Sequence, residues 1–500
     1  MSPSPLTHST EASPRPSDAP PDEADPAAIA AAFETQGRTA LLWRRSTARD
    51  RIRRIRSLRS ALLARRQDFY DAFASDLAKP VAEVEASELL PVLDEIRHAI
   101  GNLRRWMRPL RIIPTPVMLG TVARVQYQPR GRVLIIAPWN YPLNLCVGPL
   151  VSALAAGNTA ILKPSELTPA VSALLARLVG ETFPPSEVAL FEGGVDTATR
   201  LLDLPFDHIF FTGSPAVGRR VMAAASRHLA SVTLELGGKS PTIVGQTADL
   251  RAAAETILWG KFLNNGQTCV APDHVYVHAS VRDAFVIHCR DVIAARYGAG
   301  PDTQRRSGDL TRIVNPRHTA RISELLSDAL NRGARILPGG DVDARDRFGA
   351  PTLLDRIAPG SRIMEEEIFG PLLPLLDFTD IDPVIADINA RPKPLALYVF
   401  SRDRGEIGRI LEETSSGGAC VNHCVMQFAH GGLPFGGVNN SGIGNAHGVF
   451  GFRAFSHERA VLRATPLRTV RMFFPPSRPS RTRLIRRVGD LLRLPTIGGW

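Results

Sequence analysis

The sequence predicts an α/β protein, a parallel sheet with helices on both faces joined to a second α/β region. Three observations carry this. Short apolar runs alternate with helical ones between Arg132 and Glu235, and further strand-like runs are spread between about Gly237 and Asn422. Five hundred residues at 44% hydrophobic content also exceed one ordinary core, so two large domains are expected.

The elements follow in chain order. Residues 1–28 are rich in Pro, Ser, Asp and Ala and lack a basic start leading into an apolar stretch, so they read as a disordered tail and not a signal peptide. From Arg44 to Arg66, arginines interleave with Ile52, Ile55, Leu58, Leu62 and Leu63 at helical spacing, which predicts an amphipathic helix with a solvated basic side. Ala123, Val125 and Tyr127 alternate with Arg124, Gln126 and Gln128, the period of a strand with one face covered, read as part of a projecting hairpin.

The sheet then runs through strands at Val133–Ala137, Thr159–Leu162, Val188–Phe191, His208–Thr212 and Val232–Leu234. Helices at Leu143–Ala156, Ala170–Val179, Thr197–Leu202 and Ala216–His228 alternate with them. Ligands of such sheets bind beyond the carboxyl ends of the strands, which singles out Pro138–Pro142 and Phe211–Ser214. In the second region strands are expected at His274–Val277, Leu375–Phe378 and Leu397–Phe400. Residues 471–500 hold seven Arg against one acid, Asp490, and space Leu484, Ile485, Val488, Leu491 and Leu492 as a helix does. Such a basic amphipathic segment docks on its own or a partner subunit, lies weakly on a membrane surface, or stays disordered.

Composition narrows the function classes. Five cysteines at irregular spacing make no disulfide framework and point to a reducing compartment, the cytoplasm. No run is long enough to span a bilayer. The net charge of +11 is gathered in the basic stretches without any recognised binding module, so no nucleic-acid partner is expected. Cys420, His423 and Cys424 form C-x-x-H-C with no second ligand pair, and no metal is expected.

The chemistry concentrates elsewhere. Asn264-Asn265-Gly266-Gln267-Thr268-Cys269 displays a thiol among polar and turn-forming residues, and Glu235 ends a β-branched run just before Gly237 and Gly238. A thiol and an acid so placed suit covalent catalysis, with Cys269 as nucleophile and Glu235 as base. Asn140, held between Pro138 and Pro142, offers an amide to an oxyanion or to its own turn. Gly213, Ser214 and Gly218 open a helix whose free N–H groups suit a phosphate, or else form a plain connection. Lys163 and Glu166 suit ribose hydroxyls or a surface ion pair. In Glu365-Glu366-Glu367-Ile368-Phe369-Gly370-Pro371 one carboxylate of an acidic run is turned toward a site, and Phe435 sits on a constrained loop.

Taken in order, Pro138–Pro142, Lys163–Glu166, Phe211–Ser214, Glu235–Pro241, Gly266–Cys269, Glu367–Pro371 and Pro434–Gly437 resemble the NAD(P)-dependent aldehyde dehydrogenase superfamily, over roughly residues 35–465. Cys269–Asp273, Pro394–Tyr398 and Phe455–His457 look like its class 3 branch, closest to the coniferyl aldehyde dehydrogenases and their fatty aldehyde relatives. The resemblance implies an aldehyde dehydrogenase fold. A Rossmann-like NAD(P)-binding domain would comprise 29–118 and 131–235, and an α/β catalytic domain 236–430. A small β oligomerisation domain, from 119–130 and 440–470, would join two copies in a homodimer.

It also implies roles at matching positions. Cys269 is the nucleophile, Glu235 the base and Asn140 the oxyanion donor. Lys163 and Glu166 lie at the adenosine ribose, Gly213, Ser214 and Gly218 near the pyrophosphate, and Glu367 and Phe369 at the nicotinamide end. Tyr141 and Trp259 line the aldehyde channel. The cofactor is NAD or NADP; Glu166 would repel a 2′-phosphate and leans toward NAD. His274 stands where the family usually has tyrosine and Asn439 where it has glycine, which puts tunnel details in doubt. The alternatives are an acylating enzyme that passes the thioester to coenzyme A, a cofactor-free thiol hydrolase, and a non-catalytic binding protein on the same fold.

Overall fold

The computed structural model describes residues 23–115, 118–467, 471, 473–476 and 478–491. Residues 1–22 of the expected tail, and Leu492 of the C-terminal pattern, lie outside them. Residues 23–28, expected in the tail, are folded: Asp25 caps a helix at Pro26–Trp43, and the Glu23 carboxylate accepts hydrogen bonds from Gly194 N and Thr197 N.

Ala48–Ala64 begins with a Thr47/Asp50 capping box and buries Ile52, Ile55, Leu58 and Leu62 against the core. Leu63, one residue beyond that stripe and so about 100° further round, is 45% exposed. The solvated basic side has one exception. Arg51 is buried and donates to Ala155 O and Ala156 O, where the helix Asn144–Ala156 ends and its carbonyls lack partners.

The first sheet has six strands in the order Gly442–Ile443, Ser231–Leu236, His208–Gly213, Arg132–Ile136, Thr159–Lys163 and Val188–Leu190. All neighbours are parallel except the first pair. The chain starts at Arg132–Ile136, moves out to one side, then returns to lay His208–Gly213 on the other. The crevice between those two strands is therefore the place where strand order reverses, and their carboxyl ends carry Asn140 and Gly213. All five expected strands are present, shifted by one or two residues at their ends.

The second sheet has seven strands, with His274–His278 at its centre between Leu372–Phe378 and Pro241–Val244. The three expected strands are there. Pro241–Val244, Thr352–Asp355, Gly418–Val421 and Arg335–Ile336 went unread, because runs of two to four residues carry too little periodicity to register. The expected hairpin strand is Thr121–Pro129, but its long partner is Ser456–Ala464, paired antiparallel along its whole length. Only the short Leu110–Ile112 pairs with it locally. At the C-terminus Pro479–Leu491 is helical, with Leu484 and Ile485 exposed.

Candidate active site between the two sheets

Cys269 sits at the end of a tightly constrained turn. Asn264, Asn265 and Gly266 have φ of 52°, 52° and 77°, three successive left-handed residues, which favours Asn and Gly over other L residues. At Gly266 a Cβ would lie 2.2 Å from Gly370 O, so no other residue fits. Gln267 then fixes the turn, its amide donating to Asn264 O (2.9 Å) and Arg312 O (3.1 Å) while accepting from Val314 N (2.9 Å). Tyr398 Oη donates to Val270 O on the far side of the thiol. Lys239 Nζ is saturated by Asp273, Ile363 O and Glu366 O, which pins the Glu235–Pro241 loop to the next one.

Glu235 is on the strand Ser231–Leu236 of the other sheet, buried, with no hydrogen-bond partner for either carboxylate oxygen among the described residues. Burial pushes its carboxyl well above the usual range. Cys269 and Glu235 line one partly enclosed channel. Its wall is overwhelmingly apolar and includes Phe210, Phe428 and Phe435. Burial, followed by the nearby Glu367 and Glu235 carboxylates, pushes the Cys269 thiol up to about 12, so the thiol waits protonated and needs a base.

Asn140 is buried; its Nδ2 donates to Gln267 O (3.0 Å) and its carbonyl accepts from Asn264 Nδ2 (2.8 Å). The side-chain amide is therefore locked onto the cysteine turn and keeps its second hydrogen for another acceptor. Tyr141 lines the channel and its hydroxyl is 2.6 Å from Thr268 Oγ1. Trp259 is partly buried, its ring edge-on to His423, and packs on the same apolar cluster of the second sheet as Leu263, Cys269, Phe428 and Phe435. His274 and Asn439, the two departures from the family pattern, are absent from the wall. His274 is buried against Tyr276 in the second sheet, and Asn439 is a left-handed turn residue. Neither alters the channel. Sequence reading missed Phe428 and His447 on the wall, and neither carries a local sequence signal.

At the reversal of strand order, Lys163 is buried at its strand end and its Nζ donates to Glu166 Oε2 at 2.9 Å, so the ion pair and the binding reading describe the same two groups. Ser214 caps the helix Pro215–Ser226, accepting from Val217 N. Gly213 has no room for a Cβ beside the Phe211 ring (2.5 Å). The Gly218 position is governed by packing: a Cβ there would meet Leu236 Cδ2 at 2.7 Å, so glycine lets the helix lie against the Glu235 strand. Glu365 is exposed and Glu366 pairs with Arg362, while Glu367 turns inward. A Cβ on Gly237 would lie 2.1 Å from Glu367 Oε2, and burial and Asp273 push that carboxyl up to about 8. Phe369, at φ 49°, sets its ring edge-on to Trp139 (5.4 Å) and so joins the loops of the two sheets. Strain of this kind in an aromatic residue belongs to functional loops.

The start of the helix Pro215–Ser226, a buried lysine paired with a part-exposed acid, and the orphaned Thr212 Oγ1 all gather at the carboxyl ends of the first sheet, and they fit a dinucleotide. The aldehyde dehydrogenase family profile matches residues 12–461. The chain belongs to the aldehyde dehydrogenase family. It is 42% identical over 439 residues to human aldehyde dehydrogenase family 3 member B1, covering 87% of this chain and 92% of that one. It is 40% identical over 439 residues to a Pseudomonas aeruginosa protein named as a probable coniferyl aldehyde dehydrogenase (88% and 91% covered). The solved, substrate-bound Staphylococcus aureus AldH superposes with a TM-score of 0.87 at 40% identity, over 92% of this chain and 99% of that one. This aldehyde dehydrogenase is thus an NAD(P)-dependent oxidoreductase. Among the described residues no group of His, Cys, Asp or Glu is arranged to hold a metal ion.

Proposed function

We propose that this enzyme oxidises an apolar aldehyde, aromatic such as coniferyl aldehyde or medium to long aliphatic, to its carboxylic acid at Cys269. The observation that carries the reading is the shared channel: a thiol and an unpartnered, buried carboxylate face the same apolar space. Cys269 Sγ bonds to the carbonyl carbon while its proton leaves to a base, and Glu235, made more basic by burial, is that base. The resulting oxyanion is met by the free hydrogen of the Asn140 amide and the Cys269 backbone N–H. Lys163 and Glu166 hold the adenosine ribose, Gly213 and Ser214 the pyrophosphate, and Glu367 and Phe369 the ring end of the cofactor. When bound, the nicotinamide supplies the oxidant that takes the hydride lost from the thiohemiacetal carbon. Once Glu235 has passed the thiol proton to solvent, it deprotonates a water that attacks the Cys269 thioester, and the water's proton goes to the leaving sulfur, which releases the acid and restores the thiol.

The alternative, transfer of the acyl group to coenzyme A, is disfavoured by a base placed where it activates water. A product assay with and without coenzyme A is expected to yield the free acid in both; an acyl-coenzyme A product overturns the reading. Cys269→Ser is expected to abolish aldehyde-dependent NADH formation. The Glu166 carboxylate beside Lys163 repels a 2′-phosphate, so NAD is preferred over NADP.

Two further readings concern assembly and place. Exposed Leu110, Ile112, Val122 and Leu462 on the three-stranded sheet support a homodimer, which sedimentation analysis tests through the mass in solution. No helix of the described residues is long and apolar enough to cross a membrane. The exposed Leu484 and Ile485 between Arg481, Arg483, Arg486 and Arg487 support weak contact with an anionic membrane surface by an enzyme of the cytoplasm. Deleting residues 478–500 would then reduce flotation with anionic vesicles; equal flotation of both forms rejects the contact. All five cysteines are unpaired, in keeping with a reducing compartment.

A further inference from the structure

Behind the channel wall lies a second set of charges that the reaction does not use. Val81–Val84 and Leu90–Trp106 are joined by a π-helical turn, Glu85–Leu89, of the kind that recurs at functional sites. On this stretch Glu83 and Glu88 face the Lys79 ammonium, at 4.0 and 2.9 Å, with side chains 11%, 0% and 0% exposed respectively. None of the three lines the channel.

Their remaining bonds go to the catalytic loops. Glu83 Oε1 accepts from Asn264 N at 2.8 Å and from Thr311 Oγ1 at 3.3 Å. Glu88 Oε2 accepts from Asn144 N at 3.0 Å, three residues after Tyr141. Lys79 Nζ lies 4.3 Å above the Tyr141 ring. From Asn264 the network continues through its side-chain amide to Asn140 O (2.8 Å) and Gln267 O (3.2 Å). Asn264 is also the first of the three left-handed residues that lead into Cys269. A backbone N–H presented by so disfavoured a turn needs a fixed acceptor, and Glu83 is that acceptor.

We propose that Lys79, Glu83 and Glu88 are positioning residues for the oxidation step: through Asn264 and Asn144 they set the turn that aims Cys269 at the carbon held against Asn140 and Tyr141. The inference rests on Cys269 being the nucleophile. Two acids face one cation in a buried site, and burial raises both carboxyls. A neutral oxygen acceptor at residue 83 can still take the bonds from Asn264 N and Thr311 Oγ1, and so does most of what the acid does.

The test compares Glu83→Ala, Glu83→Gln and Asn264→Gly in the full-length enzyme. It measures kcat, the KM for NAD, and the rate at which iodoacetamide alkylates Cys269, read by peptide mass. Glu83→Ala is expected to lower both kcat and the alkylation rate by about tenfold or more, because misplacing a reacting atom is costly at this scale, with the KM for NAD within about twofold of wild type. Glu83→Gln is expected to recover most of that loss. Should Glu83→Ala fail to fold, Asn264→Gly keeps the left-handed backbone and the N–H that Glu83 accepts while removing the side-chain bonds to Asn140 O and Gln267 O, through which the cluster reaches the rest of the turn, and the same loss is expected. Folded Glu83→Ala or Asn264→Gly enzyme that turns over and alkylates at wild-type rates overturns the proposal, as does equal loss in Ala and Gln. Alkylation does not depend on the reaction, so a Cys269→Ser enzyme that still oxidises aldehydes would sink the function reading separately.

Discussion

Two groups of buried carboxylates lie close together in this molecule and are treated in opposite ways. Glu83 and Glu88 are surrounded by donors: a lysine, a threonine hydroxyl and the backbone N–H groups of two loops. Glu235 has none among the described residues. A buried acid whose lone pairs are satisfied holds structure together; one left bare in an apolar channel is a cost to folding and a candidate for chemistry. The difference teaches where stability ends and reactivity begins, and it is open to direct attack.

The largest effect is expected at Glu235. Glu235→Gln keeps the shape and removes the base, so steady-state turnover should fall by about 10²–10⁴-fold, the span that general-base catalysis covers. Rapid mixing tells which step has lost its base: a surviving burst of NADH places the loss in hydrolysis, and a missing burst in attack by the thiol. Lys79→Met attacks the opposite member. Stripping the cation from two buried acids should destabilise the fold by about 3–5 kcal/mol, measured by urea unfolding, since an unpaired buried charge is left behind.

The same contrast gives a pH prediction whose sign is set by the shifts. Glu235 is raised in the folded protein, so between its ordinary range and its folded value the folded state holds the extra proton, and stability falls as pH rises through that window. Glu235→Gln should flatten this slope and melt above wild type at neutral and mildly alkaline pH, by thermal unfolding across a pH series. The activity moves the other way: a raised base and a thiol pushed up to about 12 make turnover climb with pH above neutral. Gly218→Ala should cost about 1–3 kcal/mol through overpacking against Leu236, read as a lower melting temperature with and without NAD. Smallest is Glu166→Gln, expected to shift the NAD to NADP ratio of kcat/KM toward NADP by a few-fold, because the removed charge is partly exposed and screened.

Legibility from sequence followed the range of the interactions. The first sheet was readable strand by strand because buried parallel strands are continuous apolar runs. Arg51 was misread because a helical wheel shows an arginine on the basic side, whereas its partners, Ala155 O and Ala156 O, are a hundred residues away. Phe428 gave no local sign of the wall it forms. Gly218 could be placed only by its family position, and its close approach to Leu236 of the neighbouring strand has no local signature.

By itself, the sequence determined which groups are available to react and which backbone shapes are allowed: a displayed thiol, an acid at a strand end, and Asn, Asn and Gly in succession, residues that accept a left-handed run cheaply. Tertiary structure alone decided which of the buried acids would be bare and which bonded. That choice depends on donors brought from distant segments, such as Asn264 N reaching Glu83 and Asn144 N reaching Glu88, and no local pattern records a hydrogen bond made across the chain.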